Sequence, residues 1–224
     1  MARYIQRHSA FKRAVHGVHM AATMILFITG LFIFVPSLGR SLGEAMSIVQ
    51  LIHRGSGIVF IVAPLVGLIA APKGAAHFFK SHFPKWDSDD VVFMKRFLPY
   101  LFSAKKTHMP KQSEVKSGQR VADALMIIFS IVIAASGLML MFSAGQGGSI
   151  VTWARMLHGV AFIVLFALVT AHAYLGAGVF QPYRRLGRLM FGDGKVRESD
   201  ALYHWGHWAE EELKSGKNVV VVDE

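Results

Sequence analysis

The chain has 224 residues, of which 53% are hydrophobic and 17% are charged, and its mean hydropathy is +0.42. Soluble domains carry about 25% charged residues, so this composition favours a membrane protein over a soluble globule. The chain contains no cysteine. This excludes a disulfide framework, a covalently attached c-type haem, a thiolate nucleophile, and zinc or iron–sulfur centres held by cysteine from this chain.

Four stretches of the chain carry no Asp, Glu, Lys or Arg. They cover residues 14–39, 55–72, 124–154 and 156–183. The second is short, but apolar residues continue it across Arg54. A helix needs about 20 mostly apolar residues to cross a bilayer, so we predict an all-α membrane protein with four transmembrane helices. Their predicted bounds are near 13–35, 46–71, 120–143 and 152–178. A water-soluble bundle is the alternative, but its helices would show a charged face every turn or two.

The basic residues predict how these helices are oriented. Of the 24 Lys and Arg, four precede the first helix, ten lie between the second and third helices, and seven lie in the C-terminal segment. The other two loops, with their helix ends, contribute Arg40, Arg54 and Arg155. By the positive-inside rule, both termini and the long connection face the cytoplasm of a multi-pass inner-membrane protein. We interpret the net charge of +10 as a topological signal and not as nucleic-acid binding.

The pattern divides the chain into a transmembrane domain, residues 1–183, and a polar C-terminal tail, residues 184–224. The tail is charged apart from a short aromatic cluster at 203–208. We expect it to be either a solvated extension or a docking surface for a partner.

The cytoplasmic connection, at about 72–119, is too long for a simple turn. Acidic residues at 87–90 precede an amphipathic run that ends near 101. This predicts a capped helix lying in the membrane interface. Three prolines are expected to segment the connection: Pro84, Pro99 and Pro110.

Histidines are the most informative residues of the predicted helices. Five of the eleven fall within them: His16, His19, His53, His158 and His172. Polar side chains in a membrane normally face the bundle interior and indicate function. Counted from the non-cytoplasmic helix ends, His53 and His158 both lie roughly 9–10 Å deep, and His16 and His172 roughly 30 Å deep. The 14 residues that separate His158 from His172 are close to four turns, so one helix presents both on nearly one face.

Two matched histidine pairs at two depths are the arrangement that holds two bis-histidine b-type haems. Zinc would need further ligands, and we expect the helices to contain no Asp or Glu that could supply them. A proton relay would also need carboxylates. Glycines near the histidines leave room for a flat cofactor, although small residues are also ordinary helix-packing positions in membranes. They are Gly17, Gly30, Gly55, Gly57, Gly137 and Gly159.

Two questions about these pairs stay open from the sequence. His19 shares a helical face with His16 and is the alternative ligand. We prefer His16 because His19 would lie roughly 4–5 Å away from the depth of its partner. Arg54 and Arg155 lie beside His53 and His158, which we call the outer pair. Arg13 lies near His16 and His172, which we call the inner pair. These three arginines are candidate partners of haem propionates. The alternative is that each arginine extends to the lipid headgroups.

Short motifs along the whole chain match a known family. They are Arg13-Ala14-Val15-His16 with Gly30, Leu51-Ile52-His53 with Gly57, Gly118-Gln119-Arg120, Leu157-His158, Thr170-Ala171-His172-Ala173-Tyr174, Gly194-Lys195-Val196 and His204-Trp205. In these motifs the chain resembles the cytochrome b (gamma) membrane subunit of respiratory formate dehydrogenases, a four-helix protein with two haems. It departs from that family at Gly17, where an aromatic residue is common, and at Lys116, where the family has an Asn of its quinone site.

The resemblance implies that His53 and His158 bind the haem near the periplasm, and His16 and His172 the haem near the cytoplasm. It implies electron flow from a periplasmic iron–sulfur (beta) subunit through both haems to menaquinone or ubiquinone. Formate would be oxidised in a partner (alpha) subunit that carries a molybdenum or tungsten cofactor, and not by this chain.

A quinone site is expected beside His172, at the start of the third helix. The candidate residues there are Lys116, Ser117, Gly118 and Gln119. Gly118 and Gln119 match the family's motif, whereas Lys116 could donate to a quinone oxygen or extend to the headgroups. The alternative for Gly118 and Gln119 is an ordinary capped first turn of a helix.

Three other functions are compatible with part of this pattern. A cytochrome b subunit of a hydrogenase, a thiosulfate reductase or a similar quinone-linked complex has the same helix count and histidine pattern. A transporter for a transition metal would belong to a different class of protein and would lack a haem spectrum. A membrane anchor without cofactors would leave the paired histidine depths unexplained.

Overall fold

The computed structural model describes residues 2–143, 147–179 and 181–222. In chain order, the first half contains β1 (Ala2–Gln6), α1 (Ala10–Phe34), α2 (Pro36–Ser41), a 3-10 turn (Gly43–Ala45), α3 (Met46–Ala70), α4 (Pro72–His82) and α5 (Ser88–Phe102). The second half contains α6 (Ser117–Phe142), α7 (Ser149–Gly176), α8 (Arg188–Phe191), β2 (Lys195–Arg197), α9 (Glu198–His204), α10 (Gly206–Ser215) and β3 (Val219–Val222).

Four helices are long and apolar enough to cross a membrane: α1, α3, α6 and α7. They confirm the four predicted spans. Their ends lie within about three residues of the predicted ones, which is the usual uncertainty of helix ends. Most of their large apolar side chains are exposed, as expected where lipid rather than protein covers the helix surface.

The predicted capped helix of the long connection is α5. The N–H of Asp90 donates to Asp87 Oδ1 over 2.9 Å, and the N–H of Asp87 donates to Asp90 Oδ2 over 3.1 Å. This reciprocal pair satisfies backbone donors that have no partner within the helix. Pro84 and Pro110 lie outside helices, but the prediction that Pro99 would end a segment is wrong. Pro99 lies in the last turn of α5, where the N–H that it lacks costs a single helical bond and Ser103 still donates to its carbonyl.

The chain forms two compact units. The first, which we call the helix unit, is drawn from residues 14–70 and 125–171. Here Phe27 of α1 packs edge-on against Phe162 and Phe166 of α7, with ring centres 6.0 and 5.3 Å apart. Gly67 of α3 leaves space for Val15 of α1, since a Cβ on Gly67 would lie 3.0 Å from Val15 Cγ1.

The second unit, which we call the sheet unit, is drawn from residues 2–13, 71–124 and 172–222. It contains an antiparallel sheet in the order β2-β1-β3, with Tyr4 paired to Arg197 on one side and to Val220 on the other. Residues 184–222, for which the sequence suggested a solvated extension or a docking surface, thus fold onto the N-terminal strand. Their apolar core consists of Ile5, Leu186, Leu189, Val196, Ala201, Trp205, Trp208 and Ala209.

Arg7 closes this core from the side of the long connection. Its guanidinium lies 4.0 Å from the ring centre of Trp205 and 4.6 Å from that of Trp208. It also donates to the carbonyl of Glu114. Burial lowers the pKa of Arg7 to about 10, so the side chain stays charged at neutral pH. A cation stacked between two indole rings holds the N-terminal strand, the connection and the tail together.

Lys116 makes a second contact between the connection and the tail. Its Nζ donates to His204 Nδ1 over 2.9 Å and lies 4.9 Å from the ring centre of Tyr183. His204 Nε2–H donates to the carbonyl of Pro182 over 3.1 Å, so this imidazole is neutral with its lone pair on Nδ1. Burial and, secondarily, the positive charge of Arg7 lower the pKa of Lys116 to about 7. Burial and the neighbouring Lys116 lower the pKa of His204 to about 3.

We predict that Lys116 makes the stability of the sheet unit depend on pH. Between its folded pKa of about 7 and its ordinary value of 10.5, the unfolded chain binds a proton that the folded chain lacks, so stability rises with pH over this window. Replacing Lys116→Met should remove that rise and raise the melting temperature at pH 7. Thermal unfolding of the detergent-purified protein, followed by tryptophan fluorescence from pH 6.5 to 9.5, measures both effects.

The exposed Lys111, which pairs with Glu210, provides the control variant Lys111→Met. If the stability of Lys116→Met depended on pH as that of the wild type does, Lys116 would not be the origin of the pH dependence.

Candidate functional site

His53 of α3 and His158 of α7 come together in the helix unit. Their ring centres lie 6.3 Å apart and their planes are inclined by 72°. Both side chains are half-buried. The structure thus brings together the two histidines for which the sequence predicts one depth in the membrane.

Hydrogen bonds from neighbouring helices determine which ring nitrogen of each histidine carries the proton. Thr29 Oγ1 donates to the carbonyl of Ile25 over 2.7 Å and accepts from His53 Nδ1–H over 2.8 Å. His158 Nδ1 lies 3.1 Å from the carbonyl of Ile133, which can only accept, and 3.1 Å from Ser136 Oγ. Each ring therefore keeps its proton on Nδ1 and its lone pair on Nε2.

Two glycines leave space beside the same rings. A Cβ on Gly30 would lie 3.4 Å from His53 Cε1, and a Cβ on Gly137 would lie 3.0 Å from His158 Cε1. Each glycine directly follows the hydroxyl residue that fixes the neighbouring histidine. Two residue pairs therefore have the same role, Thr29-Gly30 of α1 and Ser136-Gly137 of α6. In each pair the hydroxyl orients the imidazole ring, and the glycine leaves space for it.

This arrangement fits one metal ion between the two imidazoles. Two metal–imidazole bonds of about 2 Å each, together with the radii of the two rings, span roughly 6 Å. The observed 6.3 Å between ring centres matches that span. Both lone pairs are on Nε2 and both Nδ1 atoms are hydrogen-bonded, as is usual for histidines that bind a metal. His53 and His158 would thus hold a haem iron between them, and the haem would supply one-electron transfer there.

The sequence model of the prokaryotic cytochrome b561 family matches residues 7–192. The match spans most of the chain and includes all five histidines of the membrane helices. The chain belongs to the prokaryotic cytochrome b561 family. A comparison with curated proteins gives no match.

Membership of the cytochrome b561 family establishes the class of this protein. It is a multi-pass membrane cytochrome of b type, from a family of helical bundles that bind haem, and it acts in electron transfer. This confirms the predicted helical membrane fold with four spans, b-type haem and electron transport, although the chain also forms a three-stranded sheet that the all-α prediction lacked. It favours electron transfer over the transport of a transition metal.

The other three membrane histidines lie on the first and last of the four membrane helices, α1 and α7. His16 and His19 belong to α1, and His172 lies near the end of α7, which runs without interruption from His158. His19 Nδ1–H donates to the carbonyl of Phe60 over 3.1 Å, and its ring stacks on that of Phe60 with centres 4.5 Å apart. This bond is of the kind that orients His53 and His158, so His19 stays the alternative to His16.

The four candidate quinone residues have different surroundings in the sheet unit. Lys116 contacts His204, and Ser117 is fully buried with its hydroxyl 2.7 Å from both Asp90 Oδ1 and Gln112 Oε1. These two residues hold the connection in place. Gly118 packs against Phe93, where a Cβ would lie 3.1 Å from Phe93 Cε1.

Gln119 belongs to a polar cluster that sequence reasoning missed. Its Nε2 donates to Asp123 Oδ2 over 3.3 Å, and the same oxygen lies 3.0 Å from His82 Nε2. The side chains of His82 and Asp123 are only 9% and 13% exposed. The expectation that the helices contain no Asp or Glu is wrong, because Asp123 lies in α6 and already fell inside the predicted span 120–143. Gln119 and Asp123 are four residues apart and therefore share one face of a helix, and this spacing could have predicted their contact.

The three candidate arginines also differ. Arg13 Nη1 donates to the carbonyls of His8 and Asp193 over 2.9 and 3.1 Å, so it ties the start of α1 to the turn before β2. Arg54 and Arg155 are exposed on α3 and α7.

We predict that the outer histidine pair holds one haem. His53→Ala and His158→Ala should each lose that haem, whereas His77→Ala, at an exposed histidine outside the four membrane helices, should not. Thr29→Val removes the hydroxyl beside His53 Nδ1 and should weaken haem retention by about 10–100-fold. Ser136→Ala should weaken it less, because the carbonyl of Ile133 still accepts from His158 Nδ1–H. Haem content per protein and the reduced-minus-oxidised optical spectrum measure these losses. Full occupancy in both alanine variants would overturn the assignment.

Proposed function

We propose that this cytochrome is the membrane-anchor and electron-transfer (gamma) subunit of a respiratory formate dehydrogenase in the inner membrane. It would receive electrons from a periplasmic iron–sulfur (beta) subunit, itself supplied by a molybdenum or tungsten catalytic (alpha) subunit, and deliver them to the quinone pool. The observation that carries this proposal is the His53–His158 pair, with its two oriented rings. A bis-histidine b-type haem supplies one-electron transfer and leaves no open coordination position for a substrate.

A second haem is proposed between His16 and His172. The continuous helix α7 carries His158 and His172 14 residues apart, which corresponds to roughly 21 Å of helical rise and nearly four turns. One helix can therefore serve both sites from one face. His16→Ala and His19→Ala distinguish the two candidates on α1, because the variant at the true ligand loses the second haem.

We place the quinone, menaquinone or ubiquinone, beside Gln119 and His172. Reduction of a quinone to a quinol takes up two electrons and two protons, so the site needs a proton donor as well as an electron donor. His82 Nε2 lies within hydrogen-bonding distance of Asp123 Oδ2, at 3.0 Å, and Gln119 Nε2 donates to the same oxygen. We propose that this pair supplies protons from the cytoplasm, with Gln119 between it and the quinone.

The proposed orientation puts the long connection in the cytoplasm. Because the chain has no cysteine, single cysteines report sidedness directly. A membrane-impermeant maleimide added to spheroplasts should label Gly147→Cys, in the loop before α7, and should not label Ser113→Cys. Both positions are exposed, so burial cannot mimic protection. The opposite labelling pattern would reverse the proposed direction of electron flow.

The quinone site is tested best at Gln119 and Asp123. Gln119→Leu and Asp123→Asn should each lower the rate of quinone reduction by at least about tenfold while both haems stay reducible by the donor subunit, because only proton and quinone contacts are lost. Lys116→Met is the matched control within the same motif and should keep the wild-type rate. Gly118 is a poorer position, because any side chain there displaces Phe93. Unchanged quinone turnover in both variants would move the site elsewhere.

The identity of the complex is tested by its donor. The cytochrome purified with its partner subunits should show haem reduction within one turnover when formate is added. Reduction by hydrogen gas or by another donor, with no response to formate, would favour the alternative: a cytochrome b subunit of a hydrogenase, a thiosulfate reductase or a similar complex.

A further inference from the structure

The sheet unit contains a basic cavity whose lining includes none of the proposed haem or quinone residues. Its volume is about 250 Å³, and it lies beside strands β1 and β2. Four basic side chains line it: Arg185, Arg188, Lys195 and Arg197. Tyr4 adds an aromatic wall, and Asp200 is the one carboxylate among the lining residues that the structure describes.

The carboxylate of Asp193 contacts two of the four basic side chains of the cavity. Arg188 Nη2 donates to Asp193 Oδ2 over 2.9 Å, and Lys195 Nζ lies 3.8 Å from the same oxygen. The guanidinium of Arg188 also lies 4.9 Å from the ring centre of Tyr4. These contacts hold two of the cations in place at the rim. With two carboxylates against four cations, the cavity keeps a positive charge.

Arg185 reaches the cavity from a strained backbone position. Its φ is +77°, a left-handed conformation that is unfavourable for a residue with a side chain and occurs often at functional sites. Its N–H donates to the carbonyl of Gly178 over 3.0 Å, two residues beyond the end of α7. Gly187 allows this turn to close, because a Cβ there would lie 2.4 Å from the carbonyl oxygen of Ala177.

The cavity is therefore tied to the end of a membrane-spanning helix. Basic residues at such a position meet the headgroups of the leaflet, and anionic lipids are concentrated in the cytoplasmic leaflet. A guanidinium presents paired N–H donors that match the oxygens of a phosphate group.

We propose that this cavity binds a phosphate group at the membrane surface, either that of an anionic phospholipid headgroup or that of free phosphate. This proposal rests on the proposed cytoplasmic orientation of the sheet unit, but it does not depend on which complex the cytochrome serves.

Calorimetric titration of the full-length, haem-loaded cytochrome in neutral detergent tests the proposal. The probes are dihexanoyl phosphatidylglycerol and inorganic phosphate, and chloride at matched ionic strength is the blank. We expect saturable binding of at least one phosphate probe. Preference for the lipid identifies a headgroup as the occupant, and equal or tighter binding of inorganic phosphate identifies the free anion. Absence of saturable binding of both probes to the wild-type protein would overturn the proposal without recourse to any variant.

Matched variants locate the binding. The double substitution Arg185→Gln with Lys195→Gln should weaken binding at least tenfold while the haem spectrum stays unchanged. Arg184→Gln removes one positive charge, where the double variant removes two, at an exposed position beside Arg185 that does not line the cavity, and it should leave binding intact. Equal weakening by Arg184→Gln would show unspecific attraction to the basic tail and would overturn the site. If the double variant does not retain haem, Lys195→Gln alone carries the same comparison with a smaller expected loss.

Discussion

An imidazole inside a membrane needs a polar partner for its N–H group, and hydrocarbon provides none. In this cytochrome the partners come from other helices. His53 of α3 is bonded to Thr29 of α1, and His158 of α7 is bonded to Ser136 and Ile133 of α6. The same bonds that satisfy the two N–H groups therefore hold α1 against α3 and α6 against α7. They also leave both Nε2 lone pairs available, so one requirement of the lipid environment orients the two histidines that we propose bind haem.

The glycines next to these hydroxyls complete the arrangement. Helix association in lipid depends on close packing and on a few polar contacts, because apolar surface gains little by leaving the bilayer. Thr29-Gly30 and Ser136-Gly137 supply both within two residues. The repetition of this pair on α1 and α6 gives the outer histidines equivalent surroundings from two helices that are far apart in sequence.

In the sheet unit, two buried cations stabilise the fold together with the small apolar core. Arg7 between two indole rings and Lys116 against His204 join the first strand, the long connection and the C-terminal helices. This explains why the motif at 116–119 is divided in its roles. Lys116 and Ser117 serve the fold, whereas Gln119 points its amide to Asp123 and the buried His82, where a proton donor for quinone chemistry would be useful.

The four membrane-spanning helices, the histidines within them and the pairing of His53 with His158 could be predicted from the sequence alone. Lipid imposes a minimum length and excludes charge, so local composition reveals each span, and a constant rise per residue converts position into depth. The role of Asp123 was missed because the predicted span 120–143 was treated as free of acidic residues although it contains Asp123, and because its partner His82 lies 41 positions earlier in the chain. The sheet, the Lys116–His204 contact and the hydroxyl partners of His53 and His158 were decided only by the tertiary structure. Each joins residues that are 22 or more positions apart, and periodicity along the chain describes only neighbours on one helix or strand.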